Sequence, residues 1–358
     1  MNITVQPLEP AKRRPKPADE TKLVFGKTFS DHMFLMDYFE ERGWVEPRVV
    51  PHQDLIMDPA AMVLHYGQGI FEGLKAYRTQ KGNIRLFRPR NNWERFNRSA
   101  ARMCMPTVDV DFQFQAVESL LKLDQDWVPH TLGSSLYIRP TMIANEPHLG
   151  VRPAHQYLYY IITGPVAAYY AEGFNPVSIY VSDEHVRAVK GGVGEAKTMA
   201  NYAASLFAAE VAKKKGFTQV LWLDAVERKY VEEVGTMNIF FRIRDELITP
   251  PLNGSILSGI TRDSVMQLAR HWGITVVERP VTIHEVVETI ESGDMKEVFG
   301  TGTAAVVSPV GAISYKGVNH KVHNGEAGEW AQRFYDEIVG IQYGTKEDPF
   351  GWIHELKL

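Results

Sequence analysis

Cysteine is nearly absent from this chain: the lone thiol of Cys104 among 358 residues excludes an intramolecular disulfide and fits a reducing compartment. Long apolar runs are missing as well, and no stretch reaches the ~18 residues that a membrane span requires. Neither sign of charge dominates. The net charge of −4 and pI near 6.3 leave no electrostatic footprint for nucleic acid. The opening segment MNITVQPLEPAKRRPKPADE has no apolar core of the kind a signal peptide needs, and no internal repeat is present. These absences predict a soluble cytoplasmic protein with no nucleic-acid or membrane partner and no metal. What is there, 44% hydrophobic and 23% charged residues, is the composition of an ordinary globular chain.

The length favours about two domains. Residues 1–22, rich in proline and mixed charge, read as a flexible arm, disordered or draped on the surface. Residues 23–170 form an expected first domain and 177–358 a second. The linker between them, residues 171–176, is marked by Gly173, Asn175 and Pro176 between two strand-like runs.

In the first domain IRLFRP reads as a strand before a helix over residues 91–103. SSLYIRPTMIA and QYLYYIITGPV are further strands, rich in β-branched and aromatic residues. In the second, VSIYVSD precedes a helix over residues 201–215 that ends at Gly216 with three lysines in its last turn. The short runs VLWLD, NIFFRI and LIT predict an antiparallel meander rather than alternating βαβ units. A helix from Ile260 carries Val265, Leu268, Ala269 and Trp272 at core spacing. The expected class is α+β, with a sheet in each domain.

Chemistry concentrates in the second half. Gly191, Gly192 and Gly194 precede Lys197, and Tyr202 follows five residues later. Glycines let backbone approach a bulky planar ligand, and a lysine so placed is an amine nucleophile for a carbonyl or for pyridoxal phosphate (PLP). A PLP site also needs an anion for the pyridine nitrogen and a nest for the phosphate. Glu232 and Glu233 alternate across a strand, so only one of them faces any given site. Two phosphate receptors are available: Ser258-Gly259-Ile260-Thr261 at a helix start, and the turn Gly300-Thr301-Gly302-Thr303. In the first half, Tyr137 and Arg139 lie two apart on a strand and share a face, a good clamp for a carboxylate.

The motifs LHYGQGIFEGLKAYR, LFRPRNNWERFNRSA, LYIRPTMIANEPHLGV, GGVGEAKTMANY, EVGTMNIF, ITPPLNGSILSGITRDS and EVFGTGTAAVVSPV occur in this order. Together they make the chain resemble the branched-chain-amino-acid aminotransferases of the fold-type IV, PLP-dependent group, from about Leu23 to Tyr343. The resemblance implies a smaller N-terminal α/β domain and a larger β-barrel-like C-terminal domain with flanking helices. It implies amino transfer from L-leucine, L-isoleucine or L-valine to 2-oxoglutarate. Lys197 then matches the Schiff-base lysine, Tyr202 the residue at the cofactor's phenolate oxygen, and Glu233 rather than Glu232 the carboxylate at the ring nitrogen. Arg95, Ile260, Thr261 and Thr303 match the phosphate site. The substrate pocket maps to Phe25, Tyr66, Phe71, Tyr137, Tyr169, Thr236 and Ala304, with Arg139 for the acidic co-substrate. Tyr66, Leu149 and Val151 match residues that reach a neighbouring subunit, which implies a homodimer or higher oligomer. One departure is visible: Ala305 and Ser308 stand where animal members carry a redox CxxC pair. D-amino-acid transaminases and aminodeoxychorismate lyases share the fold, but the YIRP and EVGTMNIF segments favour the branched-chain member.

Overall fold

The computed structural model describes residues 1–167 and 174–357. It divides into two compact units, one comprising Met1–Ala171, Ala196–Met199 and Gly340–Leu358, the other Glu172–Glu195 and Ala200–Val339.

The first unit is built on a nine-stranded sheet. Its strands are β1 (Thr4–Val5), β2 (His32–Phe39), β3 (Gly43–Pro51), β4 (Gly69–Phe71), β5 (Leu74–Arg78), β6 (Ile84–Phe87), β7 (Ser135–Ala144), β8 (Gln156–Val166) and a last strand, Ile353–Glu355. The order is β1-β3-β2-β8-β7-β5-β6 followed by the last strand, with β4 beside β7. Among the described residues of this sheet only the β1–β3 pair is parallel. Helices α1 (Met62–Tyr66), α2 (Pro89–Arg102) and α3 (Val110–Asp124) complete the unit. Pro89 sits in the first turn of α2, where its fixed φ suits a helix start. The Asp109 side chain caps α3 by accepting from the Phe112 N–H at 2.8 Å.

Strand alternation sorts the two faces of this sheet. Leu74, Ala76, Leu136 and Ile138 join Trp93, Phe96, Phe112 and Leu120 in one continuous core under α2 and α3. Tyr137 and Arg139 therefore point to the other face, as the sequence spacing predicts.

The arm over residues 1–22 is draped on the first unit rather than disordered: Thr4 and Val5 pair with Arg48 and Val49, and the Leu8 N–H donates to His32 Nε2 at 2.9 Å. The Arg14 N–H donates to Asp31 Oδ1 at 2.9 Å. A polar, proline-rich segment gains order here because backbone groups find partners, a signal that composition does not carry. Residues 340–358, grouped by sequence with the second domain, cluster with the first unit. The reason is the pairing of Ile353–Glu355 with Phe87, Leu86 and Arg85 on β6.

The second unit contains β9 (Val177–Ser182), β10 (Gln219–Leu223), β11 (Val231–Val234), β12 (Met237–Ile243), β13 (Glu246–Thr249), β14 (Thr275–Glu278), β15 (Met295–Gly302), β16 (Val306–Tyr315) and β17 (Val318–Lys321). Strands β11-β10-β9-β16-β15-β12 run in that order, and a further β11–β12 pairing closes them into a six-stranded barrel. Around it lie α4 (Met199–Lys214), α5 (Ile260–His271), α6 (Ile283–Ser292) and α7 (Glu329–Tyr343). β10 to β13 form the expected antiparallel succession. β9 and β10 are instead parallel, because the 16-residue α4 supplies the crossover a parallel pair needs. On α5, Val265, Leu268 and Ala269 are buried as expected, and Trp272, just past the helix, stacks on Phe334 at 5.0 Å. Among the described residues no helix is long and apolar enough to cross a membrane.

Candidate active site

In the first unit, Lys197 is fixed by its backbone. Its N–H donates to Ser99 Oγ on α2 at 2.9 Å, and its carbonyl accepts from the Phe71 N–H on β4 at 3.0 Å. The neighbouring Thr198 hydroxyl donates to the Gly69 carbonyl at 2.8 Å. Lys197 Nζ lies 5.0 Å from the Phe71 ring centre, and the Arg139 guanidinium carbon lies 4.5 Å from the same ring. Arg139 Nη2 donates to the Tyr137 hydroxyl at 2.9 Å, and Phe25 packs edge-on against Tyr137 at 4.8 Å. Lys197, Phe71, Arg139, Tyr137 and Phe25 thus form one cluster. A primary amine, a cation, a phenol and two apolar rings face each other within it.

Behind Lys197 stands a buried ion pair. Arg95 lies one turn before Ser99 on α2 and holds Glu72 in bidentate fashion, Nε to Oε1 at 2.7 Å and Nη2 to Oε2 at 2.9 Å. Asn92 Nδ2 also donates to Glu72, at 2.8 Å. Burial pushes the Glu72 carboxyl up, but the charges of Arg95 and Lys197 and its hydrogen bonds outweigh that and hold it below the usual carboxylate range. Glu72 remains an anion that aligns Arg95 and sets the field around Lys197.

Of the other residues assigned to substrate in this unit, Tyr66, Leu149 and Val151 are exposed, the last two by 67% and 87%. Tyr169 lies outside the described residues.

In the second unit, Glu233 on β11 is buried and paired with Arg187. Asn238, its partner across β11–β12, donates to Glu233 Oε1 at 3.2 Å and to the Leu257 carbonyl at 2.9 Å. Asn238 thereby ties the carboxylate to the turn that opens α5. The Tyr202 ring centre lies 5.9 Å from the Arg187 guanidinium carbon, so Arg187 draws Tyr202 and Glu233 into one group. Glu232 turns the other way, to Ser255, and burial first of all raises its pKa. Of the two carboxylates, Glu233 is the one that Arg187 and Asn238 hold.

The two phosphate receptors adjoin this group. α5 begins at Gly259 with no side-chain cap hydrogen bond, and the positive end of its dipole favours an anion there. Ile260 and Thr261 form its first turn. Across β12–β15, Asn238 pairs with Thr301, whose buried hydroxyl has no hydrogen-bond partner among the described residues. Thr303 and Ala304 occupy the half-buried turn after β15. Thr236 lies exposed in the turn between β11 and β12.

Within the glycine run, Gly194 packs closely against the protein itself. A Cβ on Gly194 would fall 2.2 Å from the Ser255 carbonyl oxygen, so this glycine serves close backbone packing. Sequence reasoning missed Glu72, Asn92, Ser99, Arg187 and Asn238. Glu72 and Asn92 were visible only as letters inside the motifs, and Arg187, 46 residues from Glu233, carries no local signal.

The family model for class IV aminotransferases matches residues 69–313. Branched-chain-amino-acid aminotransferase 2 of Bacillus subtilis (strain 168) is 54% identical over 344 residues, 96% of this chain and 94% of the relative. Branched-chain-amino-acid transaminase 1 of the same strain is 50% identical over 357 residues, 99% of this chain and 100% of the relative. Among solved structures, the branched-chain amino acid aminotransferase from Escherichia coli superposes with a TM-score of 0.74. It shares 27% identity and covers 92% of this chain and 99% of its own. The chain belongs to the class IV aminotransferases and, within them, to the branched-chain-amino-acid aminotransferases.

Proposed function

We propose that this chain catalyses reversible amino transfer from L-leucine, L-isoleucine or L-valine to 2-oxoglutarate, with PLP as cofactor. The observation that supports it most is the Lys197, Phe71, Arg139 and Tyr137 cluster, an amine next to a carboxylate clamp and an apolar wall. The side chains also suit PLP. Glu233 is a buried acceptor held by Arg187, α5 opens uncapped, and the Thr301 hydroxyl is an orphaned buried donor. When bound, PLP supplies the electron sink that carries the amino group between two oxo acids.

The remaining work falls to the protein. Lys197 Nζ anchors the cofactor and moves the proton at the substrate Cα. Glu233 meets the pyridine nitrogen and Tyr202 the phenolate oxygen. Arg95, aligned by Glu72, serves the phosphate with Ile260, Thr261 and Thr303. Phe25, Phe71, Tyr137, Thr236 and Ala304 serve the substrate side chain, and the resemblance assigns Tyr169, outside the described residues, to the same task. Tyr66, Leu149 and Val151 act on the site of a second copy, so the homodimer is the smallest competent unit. The cytoplasm is the expected location.

The site must hold either an aliphatic chain or a carboxylate, and Arg139 serves the carboxylate. Replacing Arg139 by alanine is expected to lower kcat/KM for 2-oxoglutarate by ~10–100-fold, the worth of a hydrogen bond to a charged group. Half-reaction kinetics with L-leucine should change far less. Equal losses for both substrates would refute this division of labour.

A further inference from the structure

Glu232 is a buried carboxylate with no part in the proposed chemistry. Strand alternation on β11 sends it away from Glu233 and toward the turn that opens α5. There the Ser255 hydroxyl donates to Glu232 Oε1. Ser255 also meets Asn253 from within the turn: its hydroxyl lies 2.7 Å and its N–H 3.1 Å from Asn253 Oδ1. Glu232 differs from Asn253 in standing on a strand of the barrel, so its bond ties the turn to the barrel wall.

The turn is gripped at three points. Arg262 Nη2 donates to the Pro250 carbonyl at 2.9 Å, Glu232 accepts from the Ser255 hydroxyl, and Asn238 donates to the Leu257 carbonyl at 2.9 Å. Ser255, Ile256 and Leu257 are buried, whereas Leu252 and Asn253 before them are exposed. Two glycines let backbone come close to this segment: Gly194 has no space for a Cβ against the Ser255 carbonyl, and Gly259 has none against Asn238 Oδ1. The first helical residue of α5, Ile260, follows directly on Gly259. A shift at Ser255 therefore changes where the first N–H groups of α5 point.

We infer that Glu232 is a positioning residue for the cofactor phosphate: through Ser255 it sets the turn that presents the start of α5. This role rests on the PLP reading above, in which Ile260 and Thr261 serve that phosphate. What Glu232 contributes is an accepting oxygen rather than a charge. Burial raises its pKa, and the neighbouring cation, Arg187, is paired with Glu233.

The experiment takes the full chain freed of cofactor and measures its affinity for pyridoxamine 5′-phosphate and for pyridoxamine by equilibrium dialysis. The two probes differ only in the phosphate, and neither has the aldehyde that bonds to a lysine. Glu232→Ala should weaken the phosphorylated probe by roughly tenfold, the upper worth of one net hydrogen bond, and leave pyridoxamine unchanged. Glu232→Gln keeps an accepting oxygen and should stay within about threefold of the native chain. Ser255→Ala removes the other end of the tie and should match Glu232→Ala. The double variant should lose no more than either single one, because both changes break the same bond. Equal weakening of the two probes overturns the inference, as do native affinity in the Ser255→Ala chain and a double variant whose losses multiply. Because the Gln and Ser255 variants each decide the matter, misfolding of the Glu232→Ala chain would not shelter it. A native chain that does not bind pyridoxamine 5′-phosphate would overturn the PLP reading itself, and the Glu232 assignment with it.

Discussion

Lys197→Ala yields a folded protein whose amino transfer from L-leucine to 2-oxoglutarate is lower by at least ~10²–10⁴-fold, the usual contribution of a positioned proton-transfer group. Loss of the covalent anchor adds to this. The fold survives because Lys197 is held through its backbone: the N–H to Ser99 and the carbonyl from Phe71 remain when the side chain is removed. The Glu72 carboxylate loses one of its favourable charges, but Arg95 and Asn92 stay in place. Steady-state turnover and a thermal melt, run side by side, check both halves of this expectation. Near-normal turnover would remove Lys197 from the centre of the mechanism. Lost turnover with a collapsed melt would give the residue a structural part that the backbone contacts do not account for.

The second large effect is expected at Glu233. Its carboxylate and the Arg187 guanidinium are both buried, with side chains about 4% exposed, and each compensates the other. Glu233→Ala strands a buried cation, which typically costs about 3–5 kcal/mol, and leaves one Asn238 donor without its acceptor. Exchanging both residues, Glu233→Ala with Arg187→Leu, should recover much of that stability, because no uncompensated charge remains. Activity should not return, since the anion assigned to the pyridine nitrogen is still missing. Chemical denaturation of the two single variants and the double variant measures the coupling. Additive losses would show that Arg187 and Glu233 do not act as a pair, and a fully active double variant would take the carboxylate out of the chemistry.

Much of the site was legible because its chemistry sits in short, ordered phrases. Strand alternation placed Tyr137 with Arg139 on one face and separated Glu233 from Glu232, and both results follow from the period of two. The residues that align these groups were not legible in the same way. Arg187 reaches Glu233 and Arg95 reaches Glu72 only once distant segments fold together, and no local periodicity encodes such a meeting. The barrel is similar: its closure depends on the short β11–β12 pairing and on α4 carrying the chain between parallel strands. The arm over residues 1–22 shows the converse. Its composition reads as unstructured, yet backbone donors at Leu8 and Arg14 find acceptors at His32 and Asp31.

The most direct test of the central claim separates the two halves of the reaction. PLP-loaded protein is mixed with L-leucine and no acceptor, and the released oxo acid is counted by mass spectrometry; 2-oxoglutarate is then added and L-glutamate counted. The account predicts one equivalent of the leucine oxo acid per chain and then a halt, followed by one equivalent of L-glutamate when the acceptor arrives. No oxo acid from L-leucine, or release from D-leucine in its place, would contradict it.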